Sequence, residues 1–184
     1  MPRISIFCGA HAGETPVYRN IATAATRALV AAGYGIVYGG GRVGLMGAVA
    51  DAALDADGEV IGVIPHALAT AEVAHHGVTQ LHVVQSMHER KALMADLCDG
   101  FLALPGGYGT MDEFHEILTW RQLGIHNKPI VLFNVEGYYD ALLALYERML
   151  DDGFVREHNR HLFTPVATVD AMLSAFDGTP YSAE

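Results

Sequence analysis

The sequence has few basic residues. Lys and Arg together number 11 against 21 Asp and Glu, which gives a formal net charge of −10 over 184 residues. Surfaces that bind nucleic acid or anionic membranes need clustered Lys and Arg, and the basic residues here are scattered. The composition therefore argues against both partners, whereas a small phosphorylated ligand held in one loop stays compatible with it.

Cysteine and long apolar runs are also scarce. Cys8 lies in a short apolar run and Cys98 late in a helical pattern, so a reducing compartment is expected rather than a disulfide framework. No segment reaches the roughly 20 apolar residues of a membrane helix, and the first apolar run is too short for a signal peptide. These absences predict a cytoplasmic protein with no membrane partner.

The signatures of several cofactor and metal sites are missing. Lys91 and Lys128 are the only lysines, and neither has a context suited to the Schiff base of a pyridoxal enzyme. His88-Glu89 is followed by Ala92 where a zinc-binding HExxH motif needs its second histidine. The sequence therefore predicts no metal and no cofactor.

Short apolar runs alternate with longer segments of helical periodicity, which is typical of a parallel sheet covered by helices on both faces. Strands are predicted at 3–8, 35–38, 59–64, 80–84, 100–104, 129–133 and 164–166. A first helix is predicted from Thr15, as N-cap, to Gly33, and others at about 45–57, 86–98, 110–123 and 139–152. The predicted fold is α/β: a Rossmann-like, doubly wound sheet forming one domain over residues 1–180.

A glycine loop, Leu104-Pro-Gly-Gly-Tyr-Gly-Thr110, links the fifth predicted strand to a helix. Gly106, Gly107 and Gly109 allow several amide N–H groups to approach one anion near the positive end of that helix. A plain strand-to-helix turn is the alternative, but three glycines in four positions exceed what such a turn needs. The loop therefore predicts a phosphate site.

Glu113 follows this loop closely, and its spacing supports two interpretations. The carboxylate belongs to the chemistry beside the phosphate, or it completes a capping box with Thr110. Glu116 lies one turn further along and is either a second site carboxylate or solvated, while Asp112 is interpreted as a favourable first-turn charge.

Two further features allow a structural and a functional interpretation. Arg90-Lys91 lies in the first turns of a helix, where positive charge is unfavourable, so it indicates either a ligand anion or a surface salt bridge. Gly39-x-Gly41-x-x-Gly44 matches the letters of a dinucleotide fingerprint but follows the second strand. It is either a tight turn or a backbone nest that lines a nucleotide pocket.

Taken together, these motifs resemble the LOG (Lonely Guy) family of cytokinin riboside 5′-monophosphate phosphoribohydrolases, often mislabelled lysine decarboxylases. The motifs are Phe7-Cys-Gly9, Tyr38-Gly-Gly-Gly41 with Gly44-Leu-Met-Gly47, Met87-His-Glu-Arg-Lys91, Pro105-Gly-Gly-Tyr-Gly-Thr110 with Glu113, and Thr119-Trp-Arg-Gln-Leu-Gly-Ile-His126. The resemblance covers nearly the whole chain. It implies a homodimer that hydrolyses N6-modified AMP to free base and ribose 5-phosphate.

The resemblance also implies site residues. Arg90 and Glu113 are the expected catalytic pair. Substrate contacts are expected at Glu72, Lys91, Gly106, Gly107, Tyr108, Gly109, Thr110 and Thr119. Many family members have two serines where this chain has Ala10-His11, so no contact is carried over from the first loop.

Two alternatives stay open at this stage. A non-catalytic carrier or sensor, resembling the molybdenum-cofactor carriers, would share the glycine loop, and simple hydrolysis of AMP would differ only in the base pocket. Four apolar residues on and just after the fourth predicted helix are either a dimer contact or part of the monomer core. They are Ile117, Trp120, Leu123 and Ile125.

Overall fold

The computed structural model describes residues 1–69 and 73–177. Within them the backbone forms one seven-stranded sheet in which every pairing is parallel. The strands are β1 (Arg3–Phe7), β2 (Gly35–Tyr38), β3 (Val60–Pro65), β4 (Gln80–Val84), β5 (Gly100–Ala103), β6 (Ile130–Phe133) and β7 (Thr164–Val166). Their order across the sheet is β4-β3-β2-β1-β5-β6-β7, so the predicted doubly wound α/β architecture is confirmed.

Helices connect the strands and cover both faces of the sheet. They are α1 (Pro16–Ala31), α2 (Gly44–Leu54), α3 (Met87–Asp96), α4 (Tyr108–Gln122), α5 (Asp140–Asp151) and α6 (Val169–Asp177). The described residues contain no helix that is both long and apolar enough to cross a membrane.

Alternating strand residues divide the core into two layers. Ile4 and Ile6 of β1 pack with α1, α2 and α6, whereas Phe7 of the same strand packs with α3 and α4. The period of two along a strand places successive side chains on opposite faces. Because both faces are covered by helices, every residue of β1 except Arg3 is buried, which explains why most of the strands are rich in apolar residues.

Local signals account for several helix boundaries. Thr15 and Pro16 start α1 as predicted. At the start of α3, Ser86 accepts a hydrogen bond from the amide of Glu89 at 3.1 Å, and the Glu89 carboxylate accepts one from the Gln85 amide at 2.7 Å. Two predicted helices are too long at their C-termini, since α2 and α3 stop at Leu54 and Asp96, and α6 was not predicted at all.

Candidate active site

A cavity of about 630 Å³ opens at the carboxyl ends of the central strands. It lies where the strand order reverses between β1 and β5, the position at which sheets of this type bind ligands. The volume is typical of a small-molecule site. Three loops supply most of its lining: residues 8–13 after β1, residues 39–46 after β2, and residues 105–110 after β5.

A buried ion pair lies in this cavity. Arg90 of α3 donates from Nη1 to Oε1 of Glu113 in α4 over 2.7 Å, and the two side chains are 9% and 7% exposed. A second guanidinium nitrogen, Nε, donates to the carbonyl of Val63 at 3.1 Å. The two predicted catalytic residues are therefore brought together and held in a defined orientation. Interpreting Arg90 as part of a surface salt bridge was wrong, because the pair is buried.

Gly39 provides the surface on which Arg90 rests. A Cβ atom at this position would collide with the guanidinium group and would lie 3.0 Å from the sulfur of Met46. The glycines after β2 thus act through close approach: Gly39 and Gly41 both line the cavity, and Gly39 leaves room for the arginine. The sequence predicted either a tight turn or a backbone nest for a nucleotide at these glycines. The contact between Gly39 and Arg90 is a further role that neither interpretation included.

Burial determines the proton affinity of Glu113. Loss of solvation raises the pKa of this carboxyl above its ordinary 4.5, and the charge and hydrogen bond of Arg90 oppose that rise without cancelling it. A carboxyl group with a raised pKa beside a fixed cation is typical of a catalytic site. Glu113 therefore takes up and releases a proton closer to neutral pH than an exposed glutamate does.

The glycine loop presents backbone amides to the cavity. Gly107 is the N-cap of α4, so the amide N–H groups of the first turn have no partner within the helix. At Gly107 and Gly109, no other described residue comes within 4 Å of the place where a Cβ would stand. Gly106 is instead packed against Thr110 and Gly9. Amide N–H groups at a helix N-terminus that no side chain obstructs are suited to binding an anion.

The start of α4 decides between the two interpretations of Glu113. The helix begins at Tyr108, two residues before the predicted start, so Thr110 is inside it and is not the N-cap. A capping box with Glu113 is therefore wrong. The carboxylate is turned inward to Arg90 instead.

Two predicted ligand contacts, Lys91 and Thr119, have other surroundings. The ammonium of Lys91 lies 3.0 Å from Asp112 and 3.2 Å from Glu116, so Lys91 forms a salt bridge between α3 and α4 rather than lining the cavity. Thr119 is exposed on α4 and does not line the cavity. Glu72 lies outside the described residues. Tyr108, in contrast, is 97% exposed at the cavity mouth.

Two tyrosines that sequence reasoning missed support the glycine loop. The hydroxyl of Tyr138 donates to the carbonyl of Gly106, and that of Tyr139 to the carbonyl of Leu104, each at 2.7 Å. Tyr138 also contacts Tyr18 edge to face, with ring centroids 5.7 Å apart, and both rings line the cavity. The signal was present in the pair of tyrosines shortly after β6, at the same edge of the sheet as the loop.

Sequence comparison places this site in a known family. A family model described as "Possible lysine decarboxylase" matches residues 46–176. The cytokinin riboside 5′-monophosphate phosphoribohydrolase of Rhodococcoides fascians is 48% identical over 94% of this chain and 87% of its own length. The phosphoribohydrolase LOG5 of Arabidopsis thaliana is 45% identical over 88% of this chain and 71% of its own length. The chain belongs to the LOG family.

Solved structures share the fold of this LOG family member at much lower identity. The molybdenum cofactor carrier protein of Chlamydomonas reinhardtii superposes with a TM-score of 0.73 at 20% identity, over 96% of both chains. The molybdenum cofactor binding protein of Rippkaea orientalis gives a TM-score of 0.71 at 18% identity, also over 96% of both chains. At these identities the likeness shows a common fold alone.

The decarboxylase description does not fit the residues of this LOG protein. A pyridoxal-dependent decarboxylase needs a lysine at the reacting centre, and none of the described residues that line the cavity is a lysine. Lys91 is bound by two carboxylates, and Lys128 donates to the carbonyl of Ala95 at 2.6 Å. Among the described residues no group of three or more His, Cys, Asp or Glu side chains is arranged to hold a metal ion.

Proposed function

We propose that this protein is a phosphoribohydrolase that cleaves the N-glycosidic bond of N6-modified AMP, and also of AMP, giving the free base and ribose 5-phosphate. The observation that carries the proposal is the buried Arg90–Glu113 pair, which shares one cavity with the free amides of the glycine loop. The curated relatives at 41–48% identity carry this activity in their names, and they support an enzyme rather than a carrier.

The chemistry follows from what each group offers. Cleavage of the bond between C1′ and the base leaves positive charge on the ribose, which a nearby carboxylate stabilises. Glu113 supplies that carboxylate and accepts a proton from the attacking water, whose oxygen forms the new bond to C1′. The departing base takes the electron pair of the broken bond together with the proton that Glu113 received from the water, which returns Glu113 to its ionised form. Arg90 orients Glu113 and favours its ionised form, because the charge and hydrogen bond of the guanidinium oppose the rise in pKa that burial causes.

The glycine loop holds the 5′-phosphate in this proposal and so presents C1′ to Glu113. Its open glycines allow a sharp test. An alanine at Gly109 meets no neighbouring side chain and is expected to leave the fold intact, because alanine is the better helix former. Its methyl group would intrude on the bound phosphate. Gly109→Ala should therefore raise the KM for AMP at an unchanged or higher melting temperature, and an unchanged KM would remove the loop from the phosphate site.

The activity itself is tested by incubating the purified protein with AMP and, separately, with N6-isopentenyl-AMP, and by following the free base by chromatography. Release that is faster from the modified nucleotide, and abolished in Glu113→Gln, is the expected result. Adenosine is the matched control, since it lacks the phosphate that the loop binds. Nucleotide binding without any release would overturn the enzyme and leave the carrier.

We place this activity in a cytoplasmic homodimer. The two cysteines are buried and unpaired, in keeping with a reducing compartment. Of the apolar residues on α4 that the sequence offered as a dimer contact, Ile117 is buried in the monomer, but Leu123 and Ile125 just beyond the helix are 67% and 63% exposed. On α5, Leu142, Leu143 and Tyr146 pack against the core of the monomer, but Leu145 is 49% exposed. These exposed apolar side chains support the dimer.

Sedimentation equilibrium tests the assembly. The wild-type protein should sediment with twice the mass of the chain, and Leu123→Glu should shift it toward the monomer. Val43→Glu is the control, because Val43 is also exposed but lies at the start of α2. A wild-type monomer would overturn the dimer without affecting the proposed chemistry.

A further inference from the structure

One wall of the cavity is held by backbone hydrogen bonds between two segments that are far apart in the sequence. Residues 73–75 run antiparallel to residues 40–42, with Gly41 and Ala74 as bridge partners. The Arg42 amide donates to the carbonyl of Val73 at 2.8 Å, and the His75 amide donates to the carbonyl of Gly40 at 2.9 Å. We refer to residues 40–42 and 73–75 together as the clasp.

His75 ties the clasp to helix α2. Its ring nitrogen Nδ1 accepts a hydrogen bond from the Gly77 amide at 3.2 Å, and Nε2 lies 2.9 Å from Oδ1 of Asp51. Because Nδ1 accepts, the hydrogen bonds assign the ring proton to Nε2, which donates to the carboxylate. Both ring nitrogens of His75 are therefore engaged, one on its own loop and the other on α2.

The clasp touches the site from two directions. Val73 lines the cavity, in company with Ile64 and Leu68, and forms an apolar wall. Gly39 directly precedes the clasp, and the guanidinium of Arg90 packs closely against it. A displacement of the clasp would therefore move Val73 and with it part of the apolar wall, whereas Arg90 keeps its hydrogen bonds to Glu113 and to the carbonyl of Val63.

We propose that His75 is a positioning residue that, through Asp51 and the clasp, fixes the apolar wall against which the base of the nucleotide and its N6 substituent are bound. This rests on the proposed function, in which the glycine loop takes the phosphate and leaves the apolar wall to the base. Loosening the clasp should weaken binding of the base more than it slows the chemical step.

The two nitrogens of His75 allow matched substitutions. Asn at this position places an acceptor near the place of Nδ1 but does not reach Asp51, whereas Gln places a donor near the place of Nε2. His75→Asn and Asp51→Ala should each raise the KM for N6-isopentenyl-AMP by about tenfold, as expected for a lost hydrogen bond to a charged group. The kcat should stay within about twofold, and His75→Gln should restore most of the KM. Asp55→Ala is the control, since Asp55 follows directly on α2 but binds Arg27 instead.

Hydrogen exchange of the Arg42 and His75 amides gives a readout that is independent of catalysis. Both amides should exchange faster in His75→Asn and in Asp51→Ala, and at the wild-type rate in Asp55→Ala. Unchanged exchange would show that the hydrogen bond between His75 and Asp51 does not hold the clasp. Faster exchange with an unchanged KM would show that the clasp does not contribute to binding of the base. If the wild-type protein released no base, the proposed function would fail, and the affinity for N6-isopentenyl-AMP, measured by calorimetry in the same variants, would replace KM as the test of the clasp.

Discussion

Two consecutive cations of α3 bind carboxylates of α4, and the two resulting ion pairs have different surroundings. Arg90 and Glu113 are both buried at the cavity. Lys91 is equally buried, but its partners Asp112 and Glu116 are 59% and 24% exposed. One contact between two helices thus contains an ion pair shielded from water beside a second one that water reaches.

The two environments differ in the free-energy cost of removing the cation and leaving its carboxylate unpaired. A carboxylate that loses its cation at the surface is solvated by water, whereas Glu113 without Arg90 would be a charge in a poorly solvated site. The buried pair therefore couples protonation, stability and activity, and the exposed pair mainly holds α3 against α4. Four predictions test this division.

The largest effect is expected on catalysis. In the proposed mechanism Glu113 is the carboxylate at the reacting centre, so Glu113→Gln should lower kcat by about 10²–10⁴. Glu116→Gln makes the same chemical change one turn further along α4 and should leave kcat nearly unchanged. Initial rates with N6-isopentenyl-AMP measure both. Comparable losses in the two variants would contradict the division.

The next effect is on stability, measured by urea denaturation. Arg90→Met leaves Glu113 buried and unpaired and should cost about 3–5 kcal/mol of the free energy of unfolding. Lys91→Met leaves carboxylates that water can reach and should cost about 0–1 kcal/mol. An Arg90→Met, Glu113→Leu double variant should recover most of the lost stability while staying inactive, because the two apolar side chains leave no buried charge. A double variant as unstable as Arg90→Met would show that the charge is not the cause.

The third effect is on pH dependence. Burial raises the pKa of Glu113, and the proposed mechanism uses its ionised form. The value of kcat/KM should therefore fall on acidification at a pH above the 4.5 of an ordinary glutamate. The neighbouring charges should shift this fall in opposite directions. Lys91 lowers the pKa and Asp112 raises it, so Lys91→Met should move the acid limb to higher pH and Asp112→Asn to lower pH.

The raised pKa of Glu113 also makes the free energy of unfolding depend on pH. The folded protein holds the Glu113 proton more tightly than the unfolded chain does. The contribution of this group to stability is therefore full below its unfolded pKa and is lost as the pH rises through the folded one. In the kinetic experiment, acid limbs of kcat/KM that shift in the same direction in Lys91→Met and in Asp112→Asn would contradict the electrostatic explanation.

The smallest effect concerns salt. Asp112→Asn should cost about 0.2–1 kcal/mol of unfolding free energy in dilute buffer and less in about 1 M NaCl, because exposed charges are screened. The cost of Arg90→Met should change little between the two conditions. Urea titrations at both salt concentrations measure this. An equal salt dependence in the two variants would place both pairs in the same environment.

Much of the fold could be predicted because most of the strands are short apolar runs bounded by turn residues, and all seven strands were predicted from the sequence. Helix boundaries that are set by the backbone rather than by a side chain were predicted less accurately. The start of α4 was placed two residues late, because its N-cap is Gly107, which has no side chain to signal a cap. Helix α6 was not predicted, although its sequence carries a signal: Val169, Met172, Leu173 and Phe176 have helical spacing. Thr168 also caps the helix, since its hydroxyl accepts a hydrogen bond from the Ala171 amide at 3.2 Å.

At the site, the motifs identified the glycine loop and the residues Arg90 and Glu113, whose placement together is confirmed while their catalytic role stays a prediction. The clasp was not foreseen, because it joins residues more than thirty positions apart through backbone hydrogen bonds that no side-chain pattern records. The same is true of Gly39, whose role depends on a guanidinium group that arrives from another helix.

The sequence by itself determined the order and type of the elements, the position of the glycine loop at a strand end, and the charged residues available on α3 and α4. Only the tertiary structure decided which of those charges faces the cavity. Successive residues on a helix point about 100° apart, so spacing gives their directions relative to one another and not relative to the rest of the protein. The packing of α3 and α4 on the sheet sets that last angle: it turns Arg90 and Glu113 toward the cavity and pairs Lys91 with carboxylates that water reaches.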